Sequence, residues 1–261
     1  MKGIKNRYLI IALISLLLII AIILGIILWQ GVGSDEFDSD KYKISSGDRN
    51  ITVSNPHYDD SVILVDNPIN FNELEKQNSD IYAWITVPNT KIDYPILQSY
   101  EEDDLFYVDH NVNKKKAAAG AIFTQKLNQK DFSDPNTVIY GHNMKNGSMF
   151  RHLHKFKKED FFNENEYFYI YTRGHILTYR IFAAYEYDAR HILNSFNFFD
   201  KEVYASYLKY IQNPTSIYKN TREVNLTTDD KIVTLSTCLA NNKPNNRYLV
   251  QGVLIKDEFT Y

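Results

Sequence analysis

The chain has one cysteine in 261 residues, little excess of either charge, and a single long apolar run. Each scarcity excludes something. One thiol, Cys238, cannot close an internal disulfide and cannot build a thiolate zinc site. His152 and His154 stand two apart, which on a helix points them away from each other, so neither a metal centre nor a cofactor is expected. A formal net charge of −3 argues against a nucleic-acid partner. The short cluster Lys114-Lys115-Lys116 reads as a solvated loop. There is no internal repeat.

The apolar run, Tyr8 to Trp29, carries no formal charge. As a helix it would extend roughly 33 Å at about 1.5 Å per residue, enough to span a bilayer core. It exceeds the roughly 7–15 apolar residues of a signal-peptide core, and no small-residue cleavage site follows. Lys2, Lys5 and Arg7 precede it, while Asp35, Glu36, Asp38 and Asp40 follow. The positive-inside rule then places the N-terminus in the cytoplasm and the rest of the chain outside. A cleaved signal or a buried core helix is the alternative reading. The expected organisation is a tip and anchor over residues 1–30, a polar flexible stalk over 31–55, and one domain over 56–261.

Within that domain most signals are strands. Ile81–Val87, Ile92–Leu97, Gly120–Phe123, Val138–Tyr140, Tyr167–Tyr171, His175–Phe182, Ile232–Leu235 and Tyr248–Ile255 are runs of β-branched and aromatic residues. Thr172-Arg173-Gly174 reads as a hairpin turn. Seven or eight such strands at short spacing predict a closed barrel or a sandwich. Helices are expected over Asn70–Asp80, Ser148–Phe156 and Asp200–Gln212. The last has Asp200 as its cap and Val203, Tyr207, Tyr210 and Ile211 at helical spacing.

Cys238 ends the run Ile232-Val233-Thr234-Leu235-Ser236-Thr237-Cys238, and His142 ends another, Thr137-Val138-Ile139-Tyr140-Gly141-His142. Arg247 opens the final strand nine residues after the cysteine; if the two strands are neighbours, the short loop returns it close to the thiol. Thiol, imidazole and guanidinium are the parts of a covalent acyl-transfer site: a nucleophile, a proton carrier and a fixed cation for the oxyanion. The Leu239 backbone N–H is the expected second oxyanion donor. The plainer readings are a buried structural cysteine, a surface-loop histidine and an exposed arginine. His57, His110 and His191 are left as ordinary surface histidines.

Thr234-Leu235-Ser236-Thr237-Cys238 with Arg247 behind it resembles a signature segment of sortases, class B in particular. So does Asp134 to Met144 with Gly147-Ser148-Met149-Phe150 after it. Ala83-Trp84-Ile85, Ile92-Asp93-Tyr94-Pro95-Ile96 and Ala119-Gly120-Ala121-Ile122-Phe123 resemble that class as well, so the likeness runs from about Ile81 to Ile255. The resemblance implies a mostly β fold, a closed eight-stranded barrel with a few peripheral helices behind an N-terminal membrane anchor. The helix at Asp200–Gln212 matches the insertion such enzymes carry between their sixth and seventh strands. It implies Cys238 as nucleophile, His142 as acid/base and Arg247 as oxyanion and substrate clamp. Ser236 would line the groove, and Asn111 aligns with an asparagine near the class B site. Two departures bear on substrate preference: Thr124-Gln125-Lys126-Leu127 replaces an aromatic-Asp-Tyr-Arg stretch, and Leu239 stands where an acidic residue often follows the cysteine.

The function so implied is a cell-surface transpeptidase of a Gram-positive bacterium. It would cut a C-terminal sorting motif of the NPxTx or PxTG type after threonine. It would then join the surface protein to a peptidoglycan amine, from a precursor or a cross-bridge. Two alternatives stay open: a surface cysteine protease or pilin polymerase using the same three groups, and a membrane-tethered binding module with an inert Cys238.

Overall fold

Runs of β-branched and aromatic residues pair into a curved sheet whose ends meet. The computed structural model describes residues 37–44, 51–54, 61–239 and 246–261. The anchor expected over Tyr8–Trp29 lies outside these residues; among them no helix is long and apolar enough to cross a membrane.

A hairpin, β1 (Ile51–Ser54) and β2 (Ser61–Leu64), precedes helix α1 (Phe71–Gln77), which Asn70 caps by accepting from the Glu73 N–H. Then come β3 (Ile81–Thr86), β4 (Asp93–Leu97), β5 (Ile122–Phe123) and β6 (Asn136–Tyr140). A 3-10 stretch, Phe150–Lys157, and helix α2 (Glu159–Glu164) lead to β7 (Tyr167–Thr172) and the long β8 (His175–Asp188). The chain continues through α3 (Ile192–Ser195), α4 (Lys201–Gln212), β9 (Lys219–Thr221), β10 (Ile232–Cys238) and β11 (Asn246–Phe259).

The sheet order is β11-β10-β6-β5-β4-β3-β7-β8, and β8 pairs back onto β11, so eight strands close a barrel while β9 adds to the outer half of β8. Closure leaves no open edge among the eight. β10 runs parallel to β6 and β4 parallel to β5; the other neighbours are antiparallel. Counted in chain order, α4 lies between the sixth and seventh barrel strands, as expected. The stretch expected as Ser148–Phe156 helix is 3-10, one or two residues later. Part of the region expected as a stalk contacts the body: Tyr42 is buried and its hydroxyl donates to Gln77, and Lys43 pairs with Asp93.

Two apolar layers result. Ile85, Ile139, Phe168, Tyr179, Val233, Leu235 and Val250 fill the barrel. Outside its wall, α4 covers Val138, Tyr185, Ile232 and Leu249. Its buried face is Tyr204, Tyr207, Leu208 and Ile211, spaced i, i+3, i+4, i+7. The expected face was turned by part of a step, since Val203 and Tyr210 are only half-buried. Burying each of these side chains contributes about 1.5–3 kcal/mol over leaving it exposed. Gln251 anchors a polar network within this layer: its amide donates to Thr234 Oγ1 at 2.8 Å and to the Tyr207 hydroxyl at 3.0 Å, while Tyr185 donates to its carbonyl at 3.0 Å.

Candidate active site

In β10 the side chains alternate across the barrel wall: Val233 and Leu235 point inward, and Ile232 and Thr234 lie under α4. The same alternation sends Ser236 and Cys238 to the outer face. There the surface opens into a cleft of about 240 Å3 whose lining includes Ser236, Cys238, Arg247, His142, Tyr140 and Tyr187.

Register places the guanidinium. Cys238 is directly opposite Arg247 across the β10–β11 pair, and Arg247 is opposite Tyr187 across β11–β8. The Leu239 N–H donates to Asn246 O at 3.1 Å, making that the hydrogen-bonded pair. Cys238 and Arg247 therefore form a non-hydrogen-bonded pair, the closer kind, with both side chains on one face. Arg247 also sits close enough to Tyr140 to pull its phenol pKa down, against the larger upward push of burial. Burial pushes the Tyr187 phenol up to about 12, countered by Arg190, whose guanidinium lies 5.7 Å over the ring. Both phenols are neutral hydroxyls near neutral pH. The Tyr187 hydroxyl is buried with no hydrogen-bond partner among the described residues.

His142 follows β6 where the strand leaves β10. Its Nε2 lies 2.7 Å from the Val108 carbonyl oxygen. A carbonyl only accepts, so Nε2 carries the hydrogen and the neutral ring keeps its lone pair on Nδ1. Two glycines make this approach possible. Gly120 has φ +56°, and a Cβ there would stand 2.4 Å from Val108 O, the atom that holds the imidazole. A Cβ on Gly141 would meet Ile122 Cδ1 at 2.5 Å. The Gly141 N–H donates to Ser236 O at 3.1 Å, tying the histidine's strand end to the cysteine's.

Cys238, His142, Arg247 and Ser236 thus share one cleft. Two other expectations are corrected. The Leu239 N–H does not face the cleft, because the antiparallel ladder runs one residue beyond the cysteine and consumes it; the Leu239 side chain is buried in the barrel core. Asn111 is not among the cleft residues: its Oδ1 accepts from the Asn113 and Lys115 N–H groups at 3.0 and 3.1 Å and organises a turn.

His191, read as an ordinary surface histidine, lines the cleft. Its Nε2 donates to Gln125 Oε1 at 2.7 Å and its Nδ1 accepts from the Asn194 N–H at 3.1 Å. Gln125 belongs to the segment that departs from the class B pattern, and that departure was the available signal. Tyr140 and Tyr187 carried none, since twenty tyrosines are spread along the chain. Among the described residues no group of His, Cys, Asp or Glu is arranged to hold a metal ion.

Comparison with known proteins places the chain in a family. A family model for the sortase domain matches residues 85–255. The chain is 39% identical to sortase B of Listeria monocytogenes over 186 residues, covering 70% of this chain and 73% of that protein. The crystal structure of Clostridium perfringens sortase B is similar with a TM-score of 0.64 and 37% identity, over 71% of this chain and 100% of that one. A Staphylococcus aureus sortase B–substrate complex aligns with a TM-score of 0.61 at 26% identity, over 72% of this chain and 85% of that one.

Proposed function

The chain belongs to the sortase family, in its class B, whose members are cysteine transpeptidases, and from that premise we propose the residues, substrate and location of its reaction. The Cys238 thiol passes its proton to His142 Nδ1, and the resulting thiolate attacks the threonyl carbonyl of a C-terminal sorting motif of the NPxTx or PxTG type. The oxyanion forms beside Arg247, which carries a permanent charge and several fixed donors. Collapse breaks the C–N bond after threonine, and His142 gives a proton to the departing amine. A thioester remains on Cys238. An acceptor amine from a peptidoglycan precursor or cross-bridge attacks it and loses a proton to His142 Nδ1, and the thiolate leaves. Ser236 lines the groove beside the thiol. The charge flanks of Tyr8–Trp29 support an N-terminal membrane anchor, with the catalytic domain outside the cell.

The observation that carries this reading is that the lone cysteine meets an arginine by register and a histidine by strand departure, in one cleft. A fluorogenic sorting peptide, followed by mass spectrometry with and without diaminopimelate or oligoglycine, tests it. Wild type should show a thioester on Cys238 and an aminolysis product; Cys238→Ala should show neither. Full cleavage by Cys238→Ala ends the proposal, and hydrolysis indifferent to every amine turns it into a protease.

A further inference from the structure

The carbonyl of the cysteine itself is held in an unusual way. β6 and β10 run parallel, with Ser236 opposite Tyr140 and the Gly141 N–H donating to Ser236 O at 3.1 Å. A parallel ladder continued by one more step would bring the backbone N–H of residue 143 to the Cys238 carbonyl. The chain turns away at His142 instead, and Asn143 forms an isolated antiparallel bridge with Met149. Cys238 O loses its backbone partner at the point where the histidine is freed to enter the cleft.

Two side chains replace that partner. Asn143 Nδ2 donates to Cys238 O at 2.9 Å, and His154 Nε2 donates to the same oxygen at 3.1 Å. Arg151 Nη1 donates to Asn143 Oδ1 at 2.8 Å, which fixes which end of the amide faces the cysteine. The His154 ring is tilted against Tyr248 with centroids 5.1 Å apart. On the other side of the same peptide plane, the Leu239 N–H is bound to Asn246 O. The peptide after the nucleophile is therefore pinned from both sides, and the residue next to His142 does part of the pinning.

We propose that Asn143 and His154 are positioning residues for the transpeptidation: they tether the histidine's loop to the Cys238 main chain and so hold thiol and imidazole in register. The proposal rests on Cys238 and His142 acting together as set out above. Satisfying a buried carbonyl is also what any structural hydrogen bond does. The two roles differ in a measurable way. A positioning tether acts through His142, so its loss matters little once the imidazole is gone; a purely structural one costs the same in either background.

The test uses Asn143→Asp, which keeps the shape and the Arg151 contact but removes the donor, and His154→Phe, which keeps a ring against Tyr248 without a donor. His154→Gln restores a donor near the Nε2 position. Each should lie within a few degrees of wild type in thermal melting. For Asn143→Asp and His154→Phe we expect kcat on a sorting peptide to fall about tenfold with KM nearly unchanged, the scale of one hydrogen bond. His154→Gln should recover most of that loss. Alkylation of Cys238 by a small methanethiosulfonate near neutral pH should slow in parallel, and Asn143→Asp should add nothing in a His142→Ala background. Unchanged kcat and alkylation, losses confined to KM, additivity with His142→Ala, or no advantage of Gln over Phe would each overturn the proposal. Alkylation needs no substrate, so a protein that failed to cut sorting peptides would end the transpeptidase reading while the tether remained decided.

Discussion

His154 makes the stability of this protein fall with acid in a window where most carboxylates have yet to titrate. Burial is the main cause that pushes its pKa from 6.5 down to about 4; Lys157 and Arg151 push the same way, and the hydrogen bond to the Cys238 carbonyl opposes them. The unfolded chain takes up this proton below about pH 6.5, the folded chain only below about pH 4. Between those values the unfolded state holds more protons. The contribution is whole above pH 6.5 and is lost as the pH falls toward 4. At about 1.36 kcal/mol per pH unit the ceiling is about 3.4 kcal/mol, and solvent screening of a half-buried ring trims it to roughly 1–2 kcal/mol. The perturbation is His154→Gln, which keeps a donor and removes the titration. Urea denaturation of both proteins at about pH 7.5, 5.5 and 4.5 cancels the carboxylates they share. The stability advantage of wild type over the variant should shrink by roughly 1–2 kcal/mol between the ends of that range. A gap that stays constant with pH refutes the reasoning, because it means His154 titrates alike in the folded and unfolded chain.

Three further outcomes follow from the geometry. Arg247→Ala should lower kcat about 10²–10³-fold with a smaller change in KM, and Arg247→Lys should recover only part, since an ammonium lacks the fork of donors; steady-state kinetics on a sorting peptide with kcat unchanged would contradict it. Gly120→Ala must strain a φ of +56° and push against Val108 O. It should cost about 1–3 kcal/mol in chemical denaturation and also reduce kcat, because Val108 O holds His142. Tyr207→Phe removes one of the two acceptors of the Gln251 amide in the layer beneath α4. A loss of about 1–3 kcal/mol is expected, with thiol alkylation at Cys238 unaffected; a variant as stable as wild type would show that the amide finds another partner.

The relation between the residues and the cleft depends on contacts of very different range. His142 and Cys238 each end a run of β-branched residues, and a strand end at a barrel rim is where a reactive side chain can be exposed. That much was legible from local pattern, as were Asp200 as the cap of α4 and the hairpin at Arg173-Gly174. Arg247 was within reach because only nine positions separate it from the cysteine. The Leu239 expectation failed because the length of a ladder depends on two strands, and nothing in either strand alone says that Asn246 will claim that N–H. Asn111 failed because an asparagine caps a turn as readily as it binds a ligand.

Strand identity, helix caps and the strand-end positions of Cys238 and His142 are written in neighbouring residues, because pleat alternation, capping and turn chemistry act over a few positions. Which tyrosine stands beside the arginine follows from the β8–β11 pairing, and how the histidine's strand end meets the cysteine's follows from the β6–β10 pairing, both joining residues far apart in the chain. Barrel closure sets those registers, and a shift of one residue in any of them would turn Tyr187 or Cys238 to the opposite face.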